Sequence, residues 1–349
     1  MTARTAVAPR AARGISLRPT TRDDVGRCRD VFFASVDELH DRLGQPRMPR
    51  NPAGLERQFD HLLTTDPGHA WLAEHAGTVV GFGMAHRRGA TWFLSFLYVL
   101  REYQEAGLGR RILMHCLPDD VARGGPPPAG GDGRPDGTAP AVATPALATC
   151  AEAFQPVSTA LYARWGMLPR LPMYLMVGRP RPGAFPALPT DVMAVRFEAV
   201  DGPGSTITGG AVPSASRRPA VPEAVTGLDR ELLAYERPAD HRWWQEQGRQ
   251  GILFARSGEA VAYGYARSGG RIGPVAVRDA ALMPSVLGHL VAMAHPDGAC
   301  QVVVPGTCGA ALVPLLDAGL RIDGAAAIYC ATWPGPHFER YLPNSFALL

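Results

Sequence analysis

A pattern of glycines and valines repeats in this 349-residue chain at a fixed distance. Gly77, Val80 and Gly83 recur 181 positions later as Gly258, Val261 and Gly264. The flanking runs agree in character, residues 77–85 reading GTVVGFGMA and residues 258–266 reading GEAVAYGYA. A second match follows in the same order: residues 162–167 (YARWGM) correspond to residues 315–320 (LLDAGL), so Gly166 aligns with Gly319. Two matches in one order point to a degenerate tandem repeat. The length agrees, since about 350 residues supports two domains that each bury a core.

Within the first copy the pattern predicts strand, two helices, hairpin, strand, helix, strand, helix, strand. Residues 15–19 (ISLRP) read as a strand, and Thr21 is placed to cap the helix that follows. Residues 70–74 and 79–85 form a hairpin about residues 75–78 (HAGT), and residues 91–99 form a third strand. A glycine-bearing turn then leads into a helix over residues 109–117. Residues 118–145 are mostly Gly, Pro, Ala and Asp and read as a flexible insertion, too poor in apolar surface to offset its ordering entropy. The expected organisation is a disordered tail (1–14), a first domain (15–179), a Pro/Arg-rich linker (180–189) and a decayed second domain (190–349). The fold class is mixed α/β, a twisted sheet flanked by helices in each half.

All 35 basic residues are arginine, and no lysine occurs. That absence excludes P-loop ATPases, protein kinases and Schiff-base enzymes, all of which need an ammonium group. The net charge of +3 is too small to argue for nucleic acid. Up to Arg179 there are 21 Arg against 17 acids and beyond it 14 against 15, which directs any polyanion toward the first half. Six scattered cysteines form no CxxC pair, so reduced thiols in a cytoplasm are expected, with no metal site. No apolar run approaches a membrane span.

Residues 99–109 contain Gln104-x-x-Gly107-x-Gly109, after an apolar strand and at the start of a helix. Glycines there let backbone N–H groups approach a pyrophosphate at the positive end of a helix. A dinucleotide fold would need a third glycine where Ile112 stands, so that reading fails. Residues 155–167 (QPVSTALYARWGM) supply a second motif.

With these two motifs, residues 15–178 resemble the GNAT superfamily of N-acetyltransferases, and the whole chain resembles its tandem form. The family usually has Asn where Gln155 stands and Ala where Ser158 stands. The resemblance implies acetyl-CoA as co-substrate and direct attack by an amine in a ternary complex, without a metal. It places the CoA pyrophosphate on the backbone of Gln104, Glu105, Ala106, Gly107, Leu108 and Gly109, with Arg110 or Arg111 nearby. The strand end at Leu97, Tyr98 and Val99 would bond pantetheine or polarise the thioester carbonyl. Gln155 and Ser158 would border the cofactor, and Tyr162 would act as general acid toward the thiolate.

The base that takes the amine proton is open, because the strand positions facing with Val99 are Leu97, Ser95 and Phe93, none acidic. His86 and Glu152 are the nearest candidates in sequence. Asp37, Glu38 and His40 are candidates for recognising a cationic acceptor, and a solvated helix face explains them equally well. Trp243 and Trp244 read as helix packing. Expected partners are a small-molecule or peptide amine and, as a candidate, a second copy of the chain; neither nucleic acid nor membrane is expected. The alternative function is a CoA-binding or structural module that has lost chemistry.

Overall fold

At both hairpins the chain turns through two residues of positive φ: Ala76 (49°) and Gly77 (79°), then Ser257 (51°) and Gly258 (82°). Positive φ at both centres matches the twist of the flanking strands and closes a two-residue hairpin. The repeated glycine is thus a repeated turn. The computed structural model describes residues 14–104, 107–124, 145–199, 221–294 and 298–349. They divide into two compact units, residues 1–87 with 92–147 and residues 88–91 with 148–349.

In the first unit, β1 (Ile15–Pro19) runs antiparallel to β2 (Ala70–His75), and β2 to β3 (Thr78–Arg88). Strand β4 (Thr91–Val99) completes this sheet beside β3. Helices α1 (Val25–Leu43) and α2 (Pro52–Thr65) pack on one face through an aromatic cluster. Phe59 meets Phe82 and Phe96 with ring centroids 5.3 and 4.9 Å apart, and Phe32 meets Tyr98 at 4.8 Å. Alternation along β3 sends Gly81 and Gly83 to the other face, toward α3 (Leu108–Cys116). A Cβ on Gly83 would stand 2.9 Å from both Ile112 Cγ2 and Cys116 Sγ, so this glycine sets how closely α3 lies on the sheet. The short helix α4 (Asp119–Gly124) occupies the start of the expected flexible insertion. Its first turn closes through Ala122 N–H donating to Pro118 O at 2.9 Å. Residues 125–144 of the expected insertion and residues 1–13 of the expected tail lie outside the described residues.

The second unit contains β5 (Ala146–Glu152), α5 (Pro156–Ala163), β6 (Leu168–Gly178), β7 (Val192–Arg196), α6 (Glu223–Leu233) and α7 (Pro238–Glu246). There follow β8 (Gln250–Arg256), β9 (Glu259–Arg267), β10 (Arg271–Val277), α8 (Met283–Ala294), β11 (Cys300–Pro305) and α9 (Gly309–Asp317). The last strands are β12 (Arg321–Ile322), β13 (Ala327–Ala331) and β14 (Tyr341–Leu342). The strand order is β5-β13-β6-β11-β10-β9-β8-β7. Gly264 repeats the role of Gly83, since a Cβ there would meet Leu290 Cδ1 of α8 at 2.4 Å. Gly166 and Gly319 are likewise both left-handed, at φ 76° and 100°.

The terminal strands of the two repeats are exchanged. Strand β13, which closes the second repeat, lies antiparallel between β5 and β6 of the first, with Ala327 opposite both Glu152 and Met173. Strand β6, which closes the first repeat, pairs through Met173–Gly178 with β11 of the second. For this reason the division into units falls at residue 147, whereas the composition break lies at residues 180–189. Among the described residues no helix is long and apolar enough to cross a membrane, and all six cysteines are free thiols.

Candidate active site

Strand β4 ends where its backbone changes partners. Leu100 N–H donates to Val80 O on β3 at 2.9 Å, so strand parity turns the N–H and carbonyl of Val99 away from β3. The Val99 carbonyl accepts from Gln104 Nε2 at 2.8 Å and from Ser35 Oγ of α1 at 3.5 Å. Gln104 thereby braces the turn against the strand end. Leu97 and Tyr98 are half-buried, Tyr98 packed on Phe32 and Leu97 on the face toward Gly83.

Gly107, at φ 73°, occupies the left-handed region immediately before α3. A Cβ built on it meets nothing within 4 Å, so the space beside the turn is open. The helix has no side-chain cap, and its first internal bond runs from Arg111 N–H to Gly107 O at 3.1 Å. The amides of Leu108, Gly109 and Arg110 therefore have no acceptor within the helix. They lie at its positive end, beside an exposed Arg110 and a half-buried Arg111. Buried Leu108, Ile112 and Leu113 fix this end of the helix on the sheet. A phosphate-bearing ligand fits three amides without an acceptor among the described residues, an approach that no described side chain blocks and a nearby guanidinium. Glu105 and Ala106 lie outside the described residues.

The candidates for proton transfer belong to different units, His86 to the first and Tyr162 and Glu152 to the second. His86 is buried at 2% exposure, its Nδ1 3.0 Å from Ser95 Oγ and its ring 5.3 Å from that of Phe93. It is part of the hairpin interior and not a solvated strand end. Tyr162 lies in the second unit on α5, buried, and burial pushes its hydroxyl pKa well above the usual tyrosine range. Glu152 is exposed at the end of β5. Gln155 precedes α5, and its carbonyl accepts from Ser158 Oγ at 2.9 Å and Thr159 Oγ1 at 3.1 Å. The Ser158 hydroxyl is thus engaged within its own helix.

The acidic face of α1 borders a cavity of about 620 Å³. Its carboxylates already face arginines: Asp37 pairs with Arg50 and, at 3.6 Å, with Arg47, while Glu38 lies 3.5 Å from Arg42 and 3.7 Å from Arg101. His40 is turned to the Pro46 carbonyl at 2.6 Å. The carboxylates offered by the sequence for a cationic acceptor thus already face arginine cations. Sequence reading missed Ser35. Its spacing of three from Phe32 and four from Leu39, both buried, puts it on the inward face of α1 and was the available signal.

Residues 36–125, which run from the second half of α1 into the expected insertion and include the whole turn, match the family model described as acetyltransferase (GNAT) family. This stretch is similar to a GNAT acetyltransferase domain. Solved structures extend the likeness in fold over both repeats. A Pyrococcus horikoshii protein, itself a candidate acetyltransferase, superposes with a TM-score of 0.68 at 12% identity, covering 97% of each chain. A GCN5-related N-acetyltransferase from Sphaerobacter thermophilus gives 0.53 at 16%, covering 93% of this chain and 97% of its own. A tandem GNAT protein from the clavulanic acid biosynthesis pathway gives 0.52 at 12%, covering 92% of this chain and 99% of its own. No curated protein matches the chain in sequence. The family match is confined to the segment that carries the turn before α3.

Proposed function

We propose that the first unit binds acetyl-CoA on the turn before α3 and that the chain transfers the acetyl group to a primary amine by direct attack in a ternary complex. The observation that carries this reading is the left-handed Gly107, beside which three helix-entry amides have no acceptor and a Cβ would meet nothing within 4 Å among the described residues. Those amides and Arg110 would hold the pyrophosphate, and acetyl-CoA would supply the acyl group as a thioester. The Val99 N–H, turned away from β3, is a donor already in place for a carbonyl on which negative charge develops. Its own carbonyl is occupied by Gln104, which fixes the donor's direction.

Burial keeps Tyr162 protonated at working pH, the form a general acid needs. A thiolate leaves readily, so protonation by Tyr162 assists departure without being indispensable. An alkylammonium acceptor, with a pKa near about 10.4, must first lose a proton. His86 and Glu152 are the proposed acceptors of that proton, directly or through water. The acceptor substrate is a small-molecule or peptide amine.

Calorimetry on Gly107→Val tests the site. The expected result is loss of measurable acetyl-CoA binding in a protein that still unfolds cooperatively, because a branched side chain at positive φ both strains the turn and fills the approach. Unchanged affinity in the folded variant refutes the assignment. Thiol release from acetyl-CoA with a panel of amines tests the chemistry. Binding without release for any amine would favour the module without chemistry.

A further inference from the structure

Three arginines stand in register across one end of the second unit's sheet. Arg271, which opens β10, is the direct cross-strand partner of Arg267, which closes β9. On the other side of β9, Gln250 pairs with Ala266, so the register sets Arg249, one residue earlier, opposite Arg267. On the next strand, β11, Gln301 is the partner of Arg271. Direct partners share a face, so the row Arg249, Arg267, Arg271, Gln301 crosses four adjacent strands on one side.

Like charges directly opposite one another destabilise a sheet, and this row sets three side by side. Among the described residues, none of the three forms an ion pair with a carboxylate. Elsewhere arginines are matched with acids, as Arg18 with Asp24, Arg29 with Glu56, Arg88 with Asp240 and Arg237 with Asp229. Two members of the row are steered by neutral acceptors. Arg249 Nη1 donates to Gly273 O at 2.7 Å, and Arg271 donates from Nη2 to Asn344 O at 2.6 Å and from Nη1 to Gln301 Oε1 at 3.4 Å. Each guanidinium has five N–H donors, so most stay free for a ligand. Arg249 and Arg271 are half-buried and Arg267 is exposed at the rim. Burial, joined for Arg249 by the neighbouring charges of Arg271 and Arg267, pulls their pKa values down to about 9 and about 10. Among the described residues these cations have no carboxylate counter-charge.

We propose that the Arg249–Arg267–Arg271 row binds a small multivalent phosphate-type anion, either free or as the terminal phosphate of an organic ester. With strands about 4.8 Å apart, three guanidinium roots span about 10 Å, which suits one phosphate or a diphosphate. Guanidinium forks match phosphate oxygens two at a time, and a lone carboxylate would leave most of the charge unmet. The site is independent of the turn at Gly107 and of the acyl-transfer reading.

The test uses the full chain in chloride and in phosphate at matched ionic strength, followed by thermal unfolding and calorimetry. Inorganic phosphate, pyrophosphate and glycerol phosphate are the probes. Phosphate probes are expected to raise the unfolding temperature beyond chloride. Arg267→Gln, which removes no side-chain hydrogen bond among the described residues, is expected to weaken binding about tenfold or more. In chloride the same variant is expected to unfold no earlier than the parent, since it relieves repulsion. A structural arginine would show the opposite sign. Arg271→Lys keeps the charge without the fork and is expected to bind several-fold more weakly. A larger response to inorganic phosphate assigns a free anion, and a larger response to glycerol phosphate assigns an ester. No response beyond chloride, or one unchanged in Arg267→Gln, overturns the proposal.

Discussion

Asp229 on α6 has no exposed surface and accepts hydrogen bonds from three side chains. Arg237 reaches it through Nε at 3.0 Å and Nη2 at 3.2 Å, His241 lies at 2.7 Å, and the Tyr263 hydroxyl donates to its other oxygen. Arg237, equally buried, also donates to the hydroxyls of Tyr263 and Tyr341, each at 2.7 Å. Such a pair can cost as much in desolvation as it returns, but breaking it strands a buried charge. Asp229→Ala is expected to lose about 3–5 kcal/mol in urea unfolding. Asp229→Leu combined with Arg237→Met is expected to lose far less, because no charge is left uncompensated. Equal losses in the single and double variants would contradict this account. Asp24 makes a pH-dependent case. Hydrogen bonds from Arg18 outweigh the effect of burial and hold its carboxyl well below the usual carboxylate range. With the folded pKa depressed, its contribution is complete above the unfolded value of about 3.9 and is lost as pH falls toward the folded one. Asp24→Asn is therefore expected to flatten the acid limb of stability below about pH 4, read as unfolding temperature against pH. An unchanged acid limb would count against it.

The two copies of one element, the turn that joins a central strand to the next helix, differ in what their amides face. Before α3 the amides of Leu108, Gly109 and Arg110 have no acceptor among the described residues. Before α8 the equivalent stretch has Asp279, whose carboxylate accepts from Ala281 N–H at 2.9 Å, and Pro284, which has no N–H to offer. The Asp279 carboxylate thus takes up one amide of the turn ahead of α8, and Pro284 removes another donor from the helix itself. Leu315, aligned with Tyr162, is a fully buried aliphatic side chain. An equilibrium titration is thus expected to give one acetyl-CoA per chain, abolished by Gly107→Val, and a stoichiometry of two would defeat the claim. Sequence made this element readable because a turn needs particular residues: Gly77 and Gly258 for positive φ, Gly107 for the entry to α3. Partners chosen across space left no such mark. The spacing of His86 and Ser95 does not announce a buried bond, and Asp37 reveals nothing of Arg50, 13 residues on. Nor did summed charge show the arginine row, which lies in the half with 14 Arg against 15 acids.

Across the whole molecule, the tandem plan was legible and the exchange of strands was not. Strands β6 (LPRLPMYLMVG) and β13 (AIYCA) are both apolar, and neither carries a feature that selects a partner in its own repeat over one in the other. The exchange changes what the linker at residues 180–189 means. A chain cut there would seem, on composition, to give two domains. In the fold, a fragment ending at residue 179 lacks β13, which pairs with both β5 and β6, and lacks β11, which pairs with β6 along six residue pairs. The fragment would expose backbone edges on β5 and on both sides of β6, with no strand to cover them. Unpaired apolar edges template association with other chains. The fragment of residues 1–179 is therefore expected to aggregate or to unfold without cooperativity. Co-expression with residues 180–349 is expected to restore a soluble 1:1 complex, because β6 and β13 can still cross between the pieces. Light scattering and thermal unfolding of the fragment alone and with its complement decide the matter. A soluble fragment with a sharp transition of its own would show that the exchanged strands are dispensable to the first repeat.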